Sequence, residues 1–324
     1  LDTNSYFFFF KHLIYVLIGI CLIFIFSSLN SDQLYKYSIF LFFISLISLF
    51  LVPFVGVEVK GSKRWIDLFF LPRFQPIEVL KPFLVIILAT ILCDIRSNIL
   101  FKYLISIILI SIISLLLIAQ PDIGQTLLVV FCWATLIFTS GINIYILLAI
   151  FIVGASLLAY LIIYVPRFDY IQGRIFSFFN RETGTHNFQS DKAIESITSG
   201  GFFGKGIGEG VLKNRVPEAH TDYIISVISE EFGVVAIMLI LLLFLILIYM
   251  VFKKISFETN DKAKLILIGS ISLILMQATI HVGVNIRLFP TTGMTLPFLS
   301  YGGSSIISIS IMSGIILNLT KRRI

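Results

Sequence analysis

The chain has 324 residues, 58% of them apolar and 13% charged, with 24 basic against 18 acidic residues and a mean hydropathy of +1.01. Soluble globular domains carry about a quarter charged residues, so this composition excludes an ordinary soluble enzyme and a disordered chain and leaves a polytopic membrane protein. The net charge of +6 reads as anchoring to anionic membrane lipids rather than as nucleic-acid binding, and Cys21, Cys93 and Cys132 all lie in apolar runs, so no structural disulfide is expected.

A hydrocarbon core about 30 Å thick takes roughly 20 apolar residues per helix. That ruler predicts an all-α transmembrane helical bundle with nine spans, at residues 13–28, 35–55, 76–93, 99–119, 123–140, 142–165, 223–251, 265–284 and 296–319. The chain opens on Leu1 with no signal-peptide pattern, and the odd span count anticipates a further helix upstream. Pro82, inside the third span, predicts a kink. Two stretches are too polar to span, 56–73 and 166–222. The second is expected to be a long extracytoplasmic loop, ordered and with short amphipathic elements, inside a single membrane domain covering 1–324. No strand pattern and no soluble domain is evident.

Basic residues near span ends set the orientation. The tail with Lys321, Arg322 and Arg323 and the link with Lys253, Lys254, Lys262 and Lys264 read as cytoplasmic. The loops 56–73, 120–122, 166–222 and 285–297 then face outward. Lys60, Lys63, Arg64 and Arg73 break the positive-inside rule, and an anionic ligand is a natural reason for them.

Ionisable groups at membrane depth are costly and are functional candidates by default. Glu78 and Lys81 are three apart, so they share a helix face and can pair. Pro82 cannot donate to the Glu78 carbonyl, which leaves an acceptor beside the pair. A structural ion pair and an anion or metal site both fit. In Val216-Pro-Glu-Ala-His-Thr-Asp222, Pro217 suits the first turn of a helix and Glu218 its positive end. Glu218, Asp222 and Ser226 are spaced by four, with Ser229 continuing the stripe. That places Asp222 where a helix enters lipid from outside, where partial burial makes a carboxylate a better base. Glu218 as a dipole cap and His220 as a surface residue are the plainer readings. Glu230 and Glu231 lie deeper, and one is expected to anchor packing against another helix. Gln277, His281 and Asn285 share a helix face and suit interhelical hydrogen bonds. Asp122 suits a helix cap, and Arg64, next to Trp65, an interfacial anchor. The glycines between Gly200 and Gly210 form a flexible, turn-rich stretch with no phosphate-loop ending. Ser300-Tyr-Gly-Gly-Ser-Ser305 opens the last span and suits close helix packing. These features leave a transporter and a lipid-linked transferase both open.

Six ordered blocks carry a resemblance. Lys63-Arg-Trp-Ile-Asp-Leu68, Gln75-Pro76 with Glu78 and Lys81, Gln120-Pro-Asp-Ile-Gly124, Ser199-Gly-Gly-Phe-Phe-Gly204, Leu288-Phe-Pro-Thr-Thr-Gly-Met-Thr-Leu-Pro-Phe298 and Pro297-Phe-Leu-Ser-Tyr-Gly-Gly-Ser-Ser305 resemble the FtsW/RodA (SEDS) family. Pro217-Glu-Ala-His-Thr-Asp222 looks more like the division branch, FtsW, than the elongation branch, RodA. Three positions depart: His281 stands where Asn is usual, Thr292 where division members often have Lys, and Arg287 replaces a small residue.

The resemblance implies ten spans with both ends cytoplasmic, and a peptidoglycan glycosyltransferase of the bacterial plasma (inner) membrane that polymerises lipid II at the septum. It implies a class B penicillin-binding protein as transpeptidase partner, beside other divisome proteins, membrane lipids and undecaprenyl-linked glycan. It makes Asp222 the catalytic acid residue, a base for the 4-hydroxyl of the acceptor sugar in an inverting displacement. The leaving diphosphate needs positive charge, from a divalent cation (Mg or Mn) or from Arg64, Lys81, Lys213 and Arg215. Glu78 would hold Lys81 or a metal, while Glu218 and His220 would contact substrate. The alternative is a lipid II flippase, in which Glu78, Lys81 and Glu230 line a path.

Overall fold

The computed structural model describes residues 5–59, 61–68, 71–94, 98–179 and 185–321. Lys60, Arg322 and Arg323, read above as basic landmarks, lie outside the described residues. In chain order the elements are α1 (Ser5–Ser28), α2 (Ser31–Val55), β1 (Val57–Val59), β2 (Ser62–Leu68), β3 (Leu71–Phe74), α3 (Pro76–Leu92), α4 (Ile99–Ala119), α5 (Ile123–Thr139), α6 (Ile144–Tyr164), α7 (Asp169–Phe179), α8 (Thr185–Gly200), α9 (Ile224–Ile255), α10 (Asp261–Asn285) and α11 (Gly303–Thr320). Short 3-10 turns occupy Pro166–Phe168 and Leu212–Arg215.

Among the described residues, nine of these helices coincide with the nine expected spans. Seven are long and apolar enough to cross a membrane, and α5 is a shorter apolar helix. Side chains that compete with the backbone punctuate them. Asn98, Asp122 and Asn143 cap α4, α5 and α6 by accepting from Leu100, Gln125 and Tyr145 N–H groups. Pro76 opens α3 at its first turn, and the helix runs on through Pro82.

The absence of strands is corrected. β1, β2 and β3 form a three-stranded antiparallel sheet, with Glu58 opposite Lys63, Val57 opposite Trp65 and Ile66 opposite Phe74. An Arg73–Asp67 pair at 2.8 Å adds a link between β2 and β3. The strands are short and mix polar with apolar residues, so no period-2 pattern stands out. Their stability comes from pairing across turns.

The chain divides into two compact units, Leu1–Ser140 with Leu247–Met276 and Tyr301–Ile324, and Gly141–Ile246 with Gln277–Ser300. In the first unit α3 is buried along almost its whole length, against α2, α5 and α11. α11 packs closely on α1. A Cβ on Gly303 would fall 2.2 Å from the Tyr15 ring, and one on Gly314 2.8 Å from Phe26 Cβ. The small residues of the last span therefore serve close packing, as expected. The span itself starts later than residue 296, because residues 297–302 are turns and α11 begins at Gly303.

In the second unit α7 and α8 are the amphipathic elements of the long loop. The glycine stretch after α8 is turn-rich, as expected, and is spliced into α9. Gly233 has φ 76° and ψ −178°, which interrupts that helix. In an unbroken helix Val234 and Val235 N–H would bond the Glu230 and Glu231 carbonyls. Those carbonyls instead accept from Lys205 and Gly206 N–H at 2.9 and 3.0 Å. The freed Val234 and Val235 N–H donate to Gly201 and Phe202 carbonyls at 3.0 and 3.2 Å. The four backbone groups displaced by the break are thereby satisfied.

The break also revises the seventh span. A 32-residue helix is about 48 Å long, well beyond one hydrocarbon core. From Gly233 to Phe252 the sequence has no charged residue, and that segment is about 30 Å long. The first two and a half turns of α9, with Glu230 and Glu231, therefore stand outside the hydrocarbon.

Candidate active site

In the first unit a polar corner forms where β3, α3, the α4–α5 turn and α11 meet. Lys81 Nζ lies 2.8 Å from Glu78 Oε2, and both side chains are buried. Gln125 Nε2 donates to Glu78 Oε1 at 2.6 Å. Gln75 ties the corner together, its Nε2 donating to Asp122 Oδ2 at 2.8 Å and its N–H to Ser304 Oγ at 3.0 Å. Arg64 closes the turn. Its Nε donates to the Gln120 carbonyl at 3.1 Å, a terminal nitrogen donates to the Pro121 carbonyl, and another lies 3.8 Å from Asp122. Burial pushes the Asp122 carboxyl above the usual carboxylate range, against the pull of the Arg64 guanidinium and the Gln125 N–H. Arg64, Glu78 and Lys81, singled out from the sequence, thus fall in one network. Its cations are already paired with carboxylates.

In the second unit Asp222 is not in a helix. Residues 217–223 form turns, and α9 begins at Ile224. Glu218 adopts a left-handed φ of 57°, so it does not cap a helix. Its carbonyl accepts from Thr221 and Asp222 N–H at 3.1 and 3.0 Å. The supposed stripe from Glu218 through Ser229 is also corrected. Ser226 Oγ turns back to the Tyr223 carbonyl, while its own carbonyl accepts from Ser196 of α8 and Ser229 Oγ donates to the Ile197 carbonyl of α8.

The Asp222 turn is pinned from behind. Asn285 Nδ2 donates to the Asp222 carbonyl at 3.1 Å, and Ser300 Oγ to the Thr221 carbonyl at 2.6 Å. Gln277 and His281, on the same face of α10, bond Thr295 and the Met294 carbonyl. These side chains stitch the segment around Met294 and Thr295 to α10. That segment passes directly beside Asp222, where a Cβ on Gly293 would lie 3.5 Å from Asp222 Oδ2. Asp222 itself is half-buried.

Glu230 is the organising carboxylate of the loop. Fully buried, it accepts from Ser196 Oγ, Lys205 Nζ and the Val211, Leu212 and Lys213 N–H groups at 2.6–3.2 Å. Its partners are loop backbone, the Lys205 ammonium and one serine of α8, which refines the expected packing role. The Lys213 ammonium pairs with Glu231. Arg215 and His220 are exposed. Arg287, a departure from the family pattern, pairs with Asp191 of α8. Asn285, Gly293 and Ser300 are the site residues that sequence reasoning did not assign; the spacing with Gln277 and His281 was the signal for Asn285, and the Thr-Gly-Met and Ser-Tyr-Gly-Gly blocks for the other two.

Among the described residues no three His, Cys, Asp or Glu side chains gather to chelate a metal. Asp122 and Glu78 share a network, but Arg64 and Lys81 already balance them.

The whole chain matches known proteins. The family model for FtsW, RodA and SpoVE, described as "Cell cycle protein", covers residues 1–323. Relatives named "Probable peptidoglycan glycosyltransferase FtsW" include that of Caulobacter vibrioides, 31% identical over 92% of this chain and 75% of the relative. The Coxiella burnetii relative is 33% identical over 96% and 86%. A solved structure described as "Structural coordination of polymerization and crosslinking by a peptidoglycan synthase complex" superposes with a TM-score of 0.81 at 26% identity, over 99% of this chain and 92% of the other. The rod shape determining protein RodA of Thermus thermophilus superposes at 0.71 with 28% identity, over 96% and 86%. The seven long apolar helices among the described residues, the six sequence blocks and the whole-length match agree, and the chain belongs to the FtsW/RodA/SpoVE family of multi-pass membrane proteins.

Proposed function

We propose that the chain is a peptidoglycan glycosyltransferase that polymerises lipid II, with Asp222 as general base. One observation carries the reading. A half-buried carboxylate sits on a turn whose backbone is tied to Asn285 and Ser300, with a glycine opposite its oxygen. Such a group is held in place and still has room beside it for a substrate hydroxyl.

Asp222 takes the proton of the acceptor sugar's 4-hydroxyl as that oxygen attacks the anomeric carbon of the donor. The bond from that carbon to the diphosphate oxygen breaks, the prenyl diphosphate leaves with its negative charge, and the configuration inverts. Asp222 precedes the uncharged stretch of α9 by about three turns of helix, the level at which a sugar rather than a prenyl chain is expected. Arg215, exposed ahead of the Asp222 turn, is assigned to the leaving diphosphate. Glu218 and His220 are assigned to sugar contacts. Arg64, Glu78 and Lys81 hold their corner through internal pairs. The septum as location and a class B penicillin-binding protein as partner belong to the same proposal.

The test is purified protein with such a partner, incubated with labelled lipid II, with and without chelator. Asp222→Asn is expected to lower polymerisation at least about a hundredfold with an unchanged melting curve. Full polymerisation by the variant refutes the base. Movement of lipid II across liposomes without any polymer refutes the transferase. The chelator arm decides the divalent-cation expectation.

A further inference from the structure

The first unit holds a second polar feature, at the opposite end of α3 and α5 from the Glu78–Asp122 corner. A cavity of about 630 Å³ opens there between the last turns of α3 and α5 and the first turns of α4 and α10. Lys102, Lys262 and Lys264 line it, with Asp261, Thr139 and Ser140. Asp261 pairs with Lys264 at 3.1 Å, so these side chains leave the cavity with a net positive charge of two. Helix dipoles do not set this sign, because two helices start and two end at the rim. The lysines do.

Three further observations specify the ligand. The floor is apolar, from Leu92, Leu265 and Ile268. The Lys262 ammonium lies 3.5 Å over the Tyr35 ring of α2, which holds that charge at the helix ends. Beside Lys102, the residues Phe101, Leu104 and Ile108 form an exposed stripe down one face of α4. A cationic cup over an apolar floor, opening onto an apolar helix face, matches a molecule with an anionic head and a hydrocarbon tail. The lysine-bearing link also marks this end as cytoplasmic under the positive-inside rule, and the cytoplasmic leaflet is the one that presents anionic phospholipid.

We propose that this cavity binds the phosphate headgroup of an anionic phospholipid, with an acyl chain running along the exposed face of α4. The site is separate from Asp222 and does not depend on the glycosyltransferase reading. The test uses the full chain in detergent, titrated with phosphatidylglycerol, phosphatidylcholine or inorganic phosphate, with melting temperature and native mass spectrometry as readouts. Phosphatidylglycerol is expected to raise the melting temperature and to stay bound, and phosphatidylcholine is not. Lys102→Gln combined with Lys262→Gln and Lys264→Gln should weaken phosphatidylglycerol binding about tenfold or more. Lys253→Gln with Lys254→Gln, outside the cavity, should not. If the triple variant fails to fold, Lys102→Gln alone must still reduce bound phosphatidylglycerol. Equal binding of the two lipids, or equal loss in both lysine sets, overturns the site. Stabilisation by inorganic phosphate to the same extent overturns the lipid and assigns a soluble phosphate ligand.

Discussion

Gly233→Ala tests the splice between α9 and the glycine loop. The added Cβ would fall 2.2 Å from the Phe202 carbonyl oxygen and 2.5 Å from Gly204 N, both of them backbone atoms that no rotamer can move aside. The backbone there, at φ 76° and ψ −178°, belongs to a region used almost only by glycine and costs another residue about 1–3 kcal/mol. Relieving the clash must also loosen the four exchanged backbone bonds, each worth about 1 kcal/mol. Together these should lower the local stability of the splice by about 5–7 kcal/mol, roughly 10⁴- to 10⁵-fold in opening equilibrium. Gly208→Ala is the control. Its φ is 83° but nothing lies within 4 Å of the new Cβ, so only the strain remains. Hydrogen-exchange mass spectrometry over residues 200–235 reads the difference. Protection at Val234 and Val235 should collapse in the first variant and persist in the second. Equal protection in both would show that α9 is not joined to the loop in this way.

Three further outcomes follow from the two polar regions. Lys81→Ala leaves Glu78 buried without its cation and should cost about 3–5 kcal/mol, while Lys81→Met with Glu78→Gln should recover most of it; a single variant that melts like wild type would mean the pair is solvated. Asp122 has a folded-state pKa raised by burial, so the folded state holds its proton more tightly and the contribution to stability is lost as pH rises from the ordinary carboxylate value through the raised one. Asp122→Asn keeps a cap for α5 and should flatten that slope in melting curves taken across pH, and a wild-type contribution growing with pH would contradict the burial argument. Asn285→Ala unties the Asp222 carbonyl and should lower kcat about tenfold with little change in KM for lipid II; a rise in KM alone would make Asn285 a substrate contact instead of a positioning residue.

The nine helices and the polar loops could be read directly, because each depends on the apolar content of one short window. Glu78 and Lys81 could be paired in advance because three residues on a helix define a common face. The turn holding Asp222 could not be read so simply. Pro217 and Glu218 look like a helix start, yet the chain turns through Glu218 in a left-handed conformation before α9 begins. The sheet at Val57–Val59, Ser62–Leu68 and Leu71–Phe74 was missed for a related reason. Its strands are too short to show a pattern, and pairing across turns stabilises them.

Crossing a bilayer obliges each segment to satisfy its own backbone, so composition alone was enough to announce a helical membrane protein, while the six ordered blocks carried the family resemblance. Where Asp222 points, what holds it and how α9 is interrupted rest on partners far away in the chain. Asn285 is 63 residues from Asp222, and the carbonyls that take the Val234 and Val235 N–H groups lie on a loop more than 30 residues earlier. Contacts of that range exist only once the helices have packed, and it is there that an ordinary carboxylate acquires a fixed position.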